Sequence, residues 1–202
     1  MKLLAAIALT FTFAGCAIAP FNTANTGRSL GKDKTELSAS VLPTLGLKVE
    51  RGLTERFDVA AGVELQADTL FFLQGKIAAI NNERNGLSLA ALAGGSLAAG
   101  YSRAKSAYGG PVLSYRWEVF EIFFGARFNY THWNYFEFLQ KDAGALDNLI
   151  SLPSTDNHFT YWQFDPGFNF VGENWASGMG LHILKYEDHQ FGIPFFLLNY
   201  KF

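Results

Sequence analysis

From residue 34 to the C-terminus the chain repeatedly alternates with a period of two. Phe57, Val59, Ala61, Val63 and Leu65 are interleaved with Asp58, Ala60, Gly62 and Glu64. Phe120, Ile122, Phe124, Ala126, Phe128 and Tyr130 alternate with Glu121, Phe123, Gly125, Arg127 and Asn129. Trp162, Phe164, Pro166, Phe168 and Phe170 stand against Tyr161, Gln163, Asp165, Gly167 and Asn169. Successive side chains of a β-strand point to opposite faces. The pattern therefore predicts strands with a bulky apolar face and an opposite face that carries the charge. A helix would need a period near 3.6, which these runs do not have.

Ten such stretches can be marked, at 34–42, 44–51, 56–66, 70–80, 87–98, 105–116, 119–133, 158–170, 175–186 and 190–202. Most approach the 9–11 residues of a tilted membrane strand. The first two are short and joined through Pro43, so the count is ten with them and eight without. Half of the residues are hydrophobic (49%) and 16% are aromatic, yet the mean hydropathy is only +0.08. Apolar and polar residues must therefore be finely mixed, and no run after residue 20 approaches a membrane-spanning helix. A transmembrane barrel demands this mixing, with one face to lipid and one to a polar lumen. A soluble β-sandwich, here a periplasmic one, also alternates.

The N-terminus reads as a secretory signal. Lys2 gives it a positive start, and residues 3–15 are apolar and uncharged, a length that suits a signal core and is too short to cross a bilayer. The run ends on Phe13-Ala14-Gly15-Cys16. This resembles the lipobox of bacterial lipoproteins, with Phe13 in place of the usual Leu. The resemblance implies cleavage before Cys16 and fatty acylation of that residue, the only cysteine in the chain. Ala17 after the cysteine looks like a lipoprotein sorted to the outer membrane. Cleavage after Ala19 instead would leave Pro20 directly behind the cut, a poor site for the peptidase. The expected organisation is a signal peptide at 1–15, a lipid-anchored polar tether at 16–33 and a barrel at 34–202.

At the other end, Phe196, Leu198, Tyr200 and Phe202 alternate up to the last residue. This resembles the C-terminal signal of small outer-membrane β-barrels of Gram-negative bacteria, whose last strand is recognised by the barrel assembly machinery. The implied fold is all-β, a closed antiparallel up-and-down transmembrane barrel. With a periplasmic N-terminus, the turns at 52–55, 81–86, 117–118 and 172–174 fall in the periplasm, and the long connection 134–157 lies outside. Short periplasmic turns and longer outer loops are the rule for such barrels. Aromatics such as Trp117, Trp133, Trp162 and Trp175 crowd the strand ends, where interfacial girdles lie.

Outward apolar faces turn Glu36, Lys48, Glu50, Asp58, Glu64, Lys76, Arg116, Glu121, Arg127, Asp165, His182 and Lys201 into the lumen. A ten-stranded barrel is narrow, so opposite charges would pair across it. The structural reading is a salt-bridge network, and the sharper one a narrow path for small solutes. A general porin needs 16 or more strands. Phe123 and Leu92 suggest an apolar pocket for a hydrophobic ligand, and Pro166 and Pro194 a weakness in the wall, lateral opening or local bulge. Barrel enzymes acting on lipid A or peptides place acids and histidines at the outer rim, which here would be Asp156, His158, Asp188, His189 and His132. No nucleophile motif accompanies them, so no catalytic residue is assigned. The four histidines lack ligand spacing, and neither a metal nor another cofactor is expected. The net charge of −2 with no basic cluster gives no sign of nucleic acid; the expected partners are outer-membrane lipids and the assembly machinery.

Overall fold

The computed structural model of the protein describes residues 19–21, 26–66, 68–100, 103–133 and 158–202. Within them lie ten strands and no helix: β1 (Thr35–Val41), β2 (Leu45–Gly52), β3 (Phe57–Leu65), β4 (Thr69–Ile80), β5 (Gly86–Ala99), β6 (Lys105–Trp117), β7 (Phe120–His132), β8 (His158–Val171), β9 (Trp175–Tyr186) and β10 (His189–Lys201). Every boundary falls within one residue of the expected one, and the short β1 and β2 are both present. Each strand pairs antiparallel with its neighbour in sequence, and β1 pairs with β10 from Glu36↔Lys201 to Val41↔Phe196. The sheet is thus a closed up-and-down barrel. Closure leaves no strand edge without a partner.

The two-residue period becomes an inside and an outside. On β1 and β2, Glu36, Ser38, Ser40, Lys48 and Glu50 are buried, whereas Leu37, Val41, Leu47 and Val49 are exposed. On β4, Leu70, Phe72, Gln74, Lys76 and Ala78 face inward and Phe71, Leu73 and Ile77 outward. Leu73, at mid-strand, is 66% exposed. Phe196, Leu198, Tyr200 and Phe202 are all on the outer face.

The barrel has two unlike mouths. The terminal mouth carries the start of β1, the end of β10 and only short turns, including Trp117–Phe120, where Glu118 takes a left-handed conformation. The loop mouth carries the connection between β7 and β8. Exposed Tyr115, Trp117, Phe170, Trp175, Tyr200 and Phe202 ring the terminal mouth, and Phe128, Tyr130 and Trp162 stand toward the loop mouth.

Besides the register shift between Ala78 and Ile80 in the β4–β5 ladder, two ladders are interrupted at prolines. Pairing between β8 and β9 stops after Phe164↔Ile183 and resumes at Gly167↔Gly180, across Pro166. The β6–β7 ladder skips from Gly109↔Phe128 to Val112↔Gly125, across Pro111. Proline has no N–H to give to a ladder. The register through Pro194, opposite Leu181, is unbroken.

Candidate functional site

The lumen is the candidate site, and its walls carry a polar lining interspersed with inward apolar side chains such as Leu70, Phe72 and Phe123. Near the terminal mouth, Lys76 Nζ lies 2.7 Å from Glu50 Oε1 and 3.2 Å from Asp58 Oδ2. Lys48 Nζ lies 3.0 Å from Glu50 Oε2. Register explains the cluster: Asp58 sits opposite Lys76 on β3 and β4, and Glu36 opposite Glu50 on β1 and β2. Lys201 reaches Glu36 at 3.7 Å and is itself only half-buried at the mouth. Arg116, also at the mouth, donates to the Glu118 carbonyl at 2.8 Å.

Farther up, Arg127, Gln163, Asp165 and His182 form a second buried group. Arg127 Nη2 donates to Gln163 Oε1. Gln163 Nε2 donates to Asp165 Oδ1 at 2.8 Å, and His182 Nδ1 lies 2.7 Å from the same oxygen. The Arg127 guanidinium also stacks over the Tyr108 ring at 5.0 Å, a cation–π contact. The His182 ring lies on Phe195 with centroids 4.3 Å apart.

The lumen holds more than its walls. Residues 19–21 and 26–31, part of the segment expected to be a tether between anchor and first strand, run inside the barrel, and Lys32 and Asp33 are exposed at its mouth. Starting from β1, Ser29 Oγ donates to Asp58 Oδ1 at 2.6 Å and the Ser29 N–H to Asn81 Oδ1 at 3.0 Å. Arg28 Nε donates to Glu121 Oε1 at 2.8 Å, and its Nη2 to the Gly86 carbonyl at 2.8 Å. The Gly27 N–H donates to Ser114 Oγ at 3.1 Å. At the second group, Gln163 Nε2 donates to the Phe21 carbonyl at 3.2 Å, and Arg127 Nη2 to the Pro20 carbonyl. The Phe21 N–H reaches Glu64 Oε1 at 3.2 Å, near the top of β3. Ala19, fully buried, belongs to a cluster with Leu92, Tyr108, Val112 and Tyr161.

This strap changes the reading of several residues. Glu121 lies across the ladder from Arg116, yet its ion pair is with Arg28. Leu92 packs with Ala19, while Phe123 packs with Phe195 and Leu197 in a separate cluster, so the two do not line one pocket. A void between Ser38, Ser40, Lys48, Glu64, Phe72 and Leu197 holds about 10 Å³, no more than one water. Gly27, Arg28, Ser29 and the neutral lumen residues Gln163 and Ser114 were not singled out from the sequence. The available signal was Gly27-Arg28 within a segment that is otherwise mostly small and polar.

Gly27 is held where only hydrogen fits. A Cβ there would stand 2.7 Å from the Ser88 carbonyl oxygen and 2.8 Å from that of Val112, both backbone atoms of the wall. Gly27→Val is therefore expected to expel the strap without opening the ladders. Trypsin should then cut after Arg28, a bond protected in the wild type, on a gel of detergent-folded protein. An unchanged digest would show that the wall yields instead.

At the loop mouth, His132 pairs with His158 across β7 and β8, and the Tyr130 and His158 rings stack at 5.9 Å. Asp188 and His189 lie at the β9–β10 turn. Asp156 and Cys16 are outside the described residues. Among the described residues no group of three or more His, Cys, Asp or Glu could hold a metal.

No protein-family model matches the chain, and none of the curated proteins compared with it does. Among solved structures it is similar to the N-terminal β-barrel domain of OprF from Pseudomonas aeruginosa, at 12% identity, covering 85% of this chain and 99% of that one with a TM-score of 0.38. The class to which the strand ladders assign this chain is the closed, ten-stranded up-and-down barrel. Its particular mark is a lumen occupied by its own N-terminal strap.

Proposed function

We propose that this chain is an integral barrel of the bacterial outer membrane, lipid-anchored through Cys16, with a lumen sealed by its own strap. Its role in this reading is structural and non-enzymatic, and its partners are outer-membrane lipids and, through β10, the assembly machinery. The observation that carries it is the outer wall. Leu47, Leu73, Ile77, Leu97, Ile122, Phe124 and Leu198 are among the large apolar side chains exposed there, and the charges are inside. Soluble monomers rarely expose contiguous apolar patches beyond a few hundred Å², whereas lipid solvates such a wall. The aromatic rings at the two mouths fit interfacial girdles.

Leu73→Arg separates a membrane from water. In lipid, an arginine on the outer face near the midplane costs about 2–4 kcal/mol; on a water-exposed surface the change is within about 0.5 kcal/mol. Urea unfolding of the barrel in lipid vesicles should show the larger loss. The unheated wild type should also migrate faster than the boiled protein on a gel. No heat-dependent shift and a neutral Leu73→Arg would together reject the membrane reading.

A narrow channel is the second reading, favoured by the polar lining from Glu36 to Asp165. It requires the strap to leave the lumen.

A further inference from the structure

The strap has a direction. Ser29 and Arg28 bind at the terminal mouth, through Asn81 of the β4–β5 turn and Glu121 at the start of β7. Phe21 binds near the top of β3, through Glu64. Gln66, in the β3–β4 turn at the loop mouth, donates from Nε2 to the Ala19 carbonyl at 3.5 Å. Going toward its N-terminus, the described strap thus enters at the terminal mouth and ends at Ala19, still buried but within reach of the loop-mouth turn.

We propose that the N-terminal end of the mature chain emerges on the outward face of the outer membrane, threaded through its own barrel, so that an acyl group on Cys16 enters the outward leaflet. This rests on the outer-membrane reading above and adds the side on which the anchor sits. Reach decides it. Cys16 lies three residue steps before Ala19, a span of at most about 10 Å. The apolar band of such a barrel is about 25 Å tall, so the segment cannot return to the periplasmic leaflet outside the wall. The way back through the lumen is filled by the strap itself.

The buried contacts also argue for a chain that continues beyond residue 19. A chain beginning at Pro20 would place a new ammonium next to the Arg127 guanidinium that binds the Pro20 carbonyl. A buried like-charge pair of that kind is costly. A chain running on through Ala19 has a neutral peptide there instead.

Single cysteines test the proposal in the full-length chain, with Cys16 retained and a membrane-impermeant maleimide as probe. Ile18→Cys reports the strap end, Ser154→Cys the β7–β8 connection, and Asn174→Cys the β8–β9 turn at the terminal mouth. On intact cells, Ile18→Cys and Ser154→Cys should label as strongly as after permeabilisation, and Asn174→Cys only after it. Ile18→Cys behaving like Asn174→Cys, with Ser154→Cys still labelled on intact cells, overturns the proposal and leaves the outer-membrane reading standing. Ser154→Cys closed on intact cells overturns both. No label at residue 18 in either state would mean that the mature chain does not present it, and also overturns the proposal. The wild type supplies the background, and label on it would reveal a free Cys16 thiol and remove the acyl part.

Discussion

A chain lacking residues 19–30 is expected to assemble as a heat-modifiable barrel and to conduct ions in planar bilayers where the full chain is silent. The walls should survive because ladder pairing, not the strap, joins the strands, and β1 begins only at Thr35. What the deletion removes is the filling: the Arg28 side chain between Glu121 and the Gly86 carbonyl, and the backbone under Arg127 and Gln163. The vacated lumen also keeps an unbalanced charge. Glu36, Glu50, Asp58, Glu64, Glu121 and Asp165 outnumber Lys48, Lys76 and Arg127 among the buried wall residues. A carboxylate-rich constriction favours cations, so reversal potentials across a salt gradient should show cation preference. Silence of the deleted chain, or anion preference, would show that the wall residues collapse into the space or re-pair.

The second large effect is expected at Lys76. Its ammonium is shared by Glu50 and Asp58 and is almost fully buried. Lys76→Met keeps the volume and removes the charge, leaving two buried carboxylates short of a partner. Breaking a buried ion pair from one side costs about 3–5 kcal/mol, far more than the ~0–1 kcal/mol of an exposed pair. Urea unfolding in vesicles should show that loss, and adding Glu50→Gln should restore part of it, because contacting residues couple. A loss below about 1 kcal/mol would place the cluster among solvated charges. Lys34–Glu83, 4.0 Å apart with both side chains more than half exposed, is the internal comparison. Its removal should change little.

The walls were legible in the sequence because alternation is a local property. Phe57 through Leu65 carries its own instruction about which side chains turn inward, and all neighbouring strands except β7 and β8 are joined by turns too short to allow another order. The lumen charges followed from the same parity. The pairings did not, because Lys76 and Glu50 stand on strands either side of β3, and Arg127 faces Gln163 only once β7 and β8 are set in register across their long connection. Arg116 illustrates the limit: it faces Glu121 in register, yet Arg28 holds that carboxylate. The strap was the least legible part. Residues 26–33 have neither period nor bulk, and small polar residues fit a free tether as well as a close-packed insert. The wall contacts tell the two apart, from the Ser88 and Val112 carbonyls beside Gly27 to the Arg28–Glu121 pair.

The seam between β1 and β10 gains a temporal meaning from this arrangement. It joins the strand that follows the strap to the last strand of the chain, from Glu36↔Lys201 to Val41↔Phe196. On the proposed topology, a thread carrying fatty tails could not be pulled through a finished ring whose lumen is packed with the strap. That topology requires the ring to form around the thread, as in a rotaxane, with that seam as its last stitch. Once it has formed, the barrel on one side and the tails on the other would hold each other in place without a covalent bond between them.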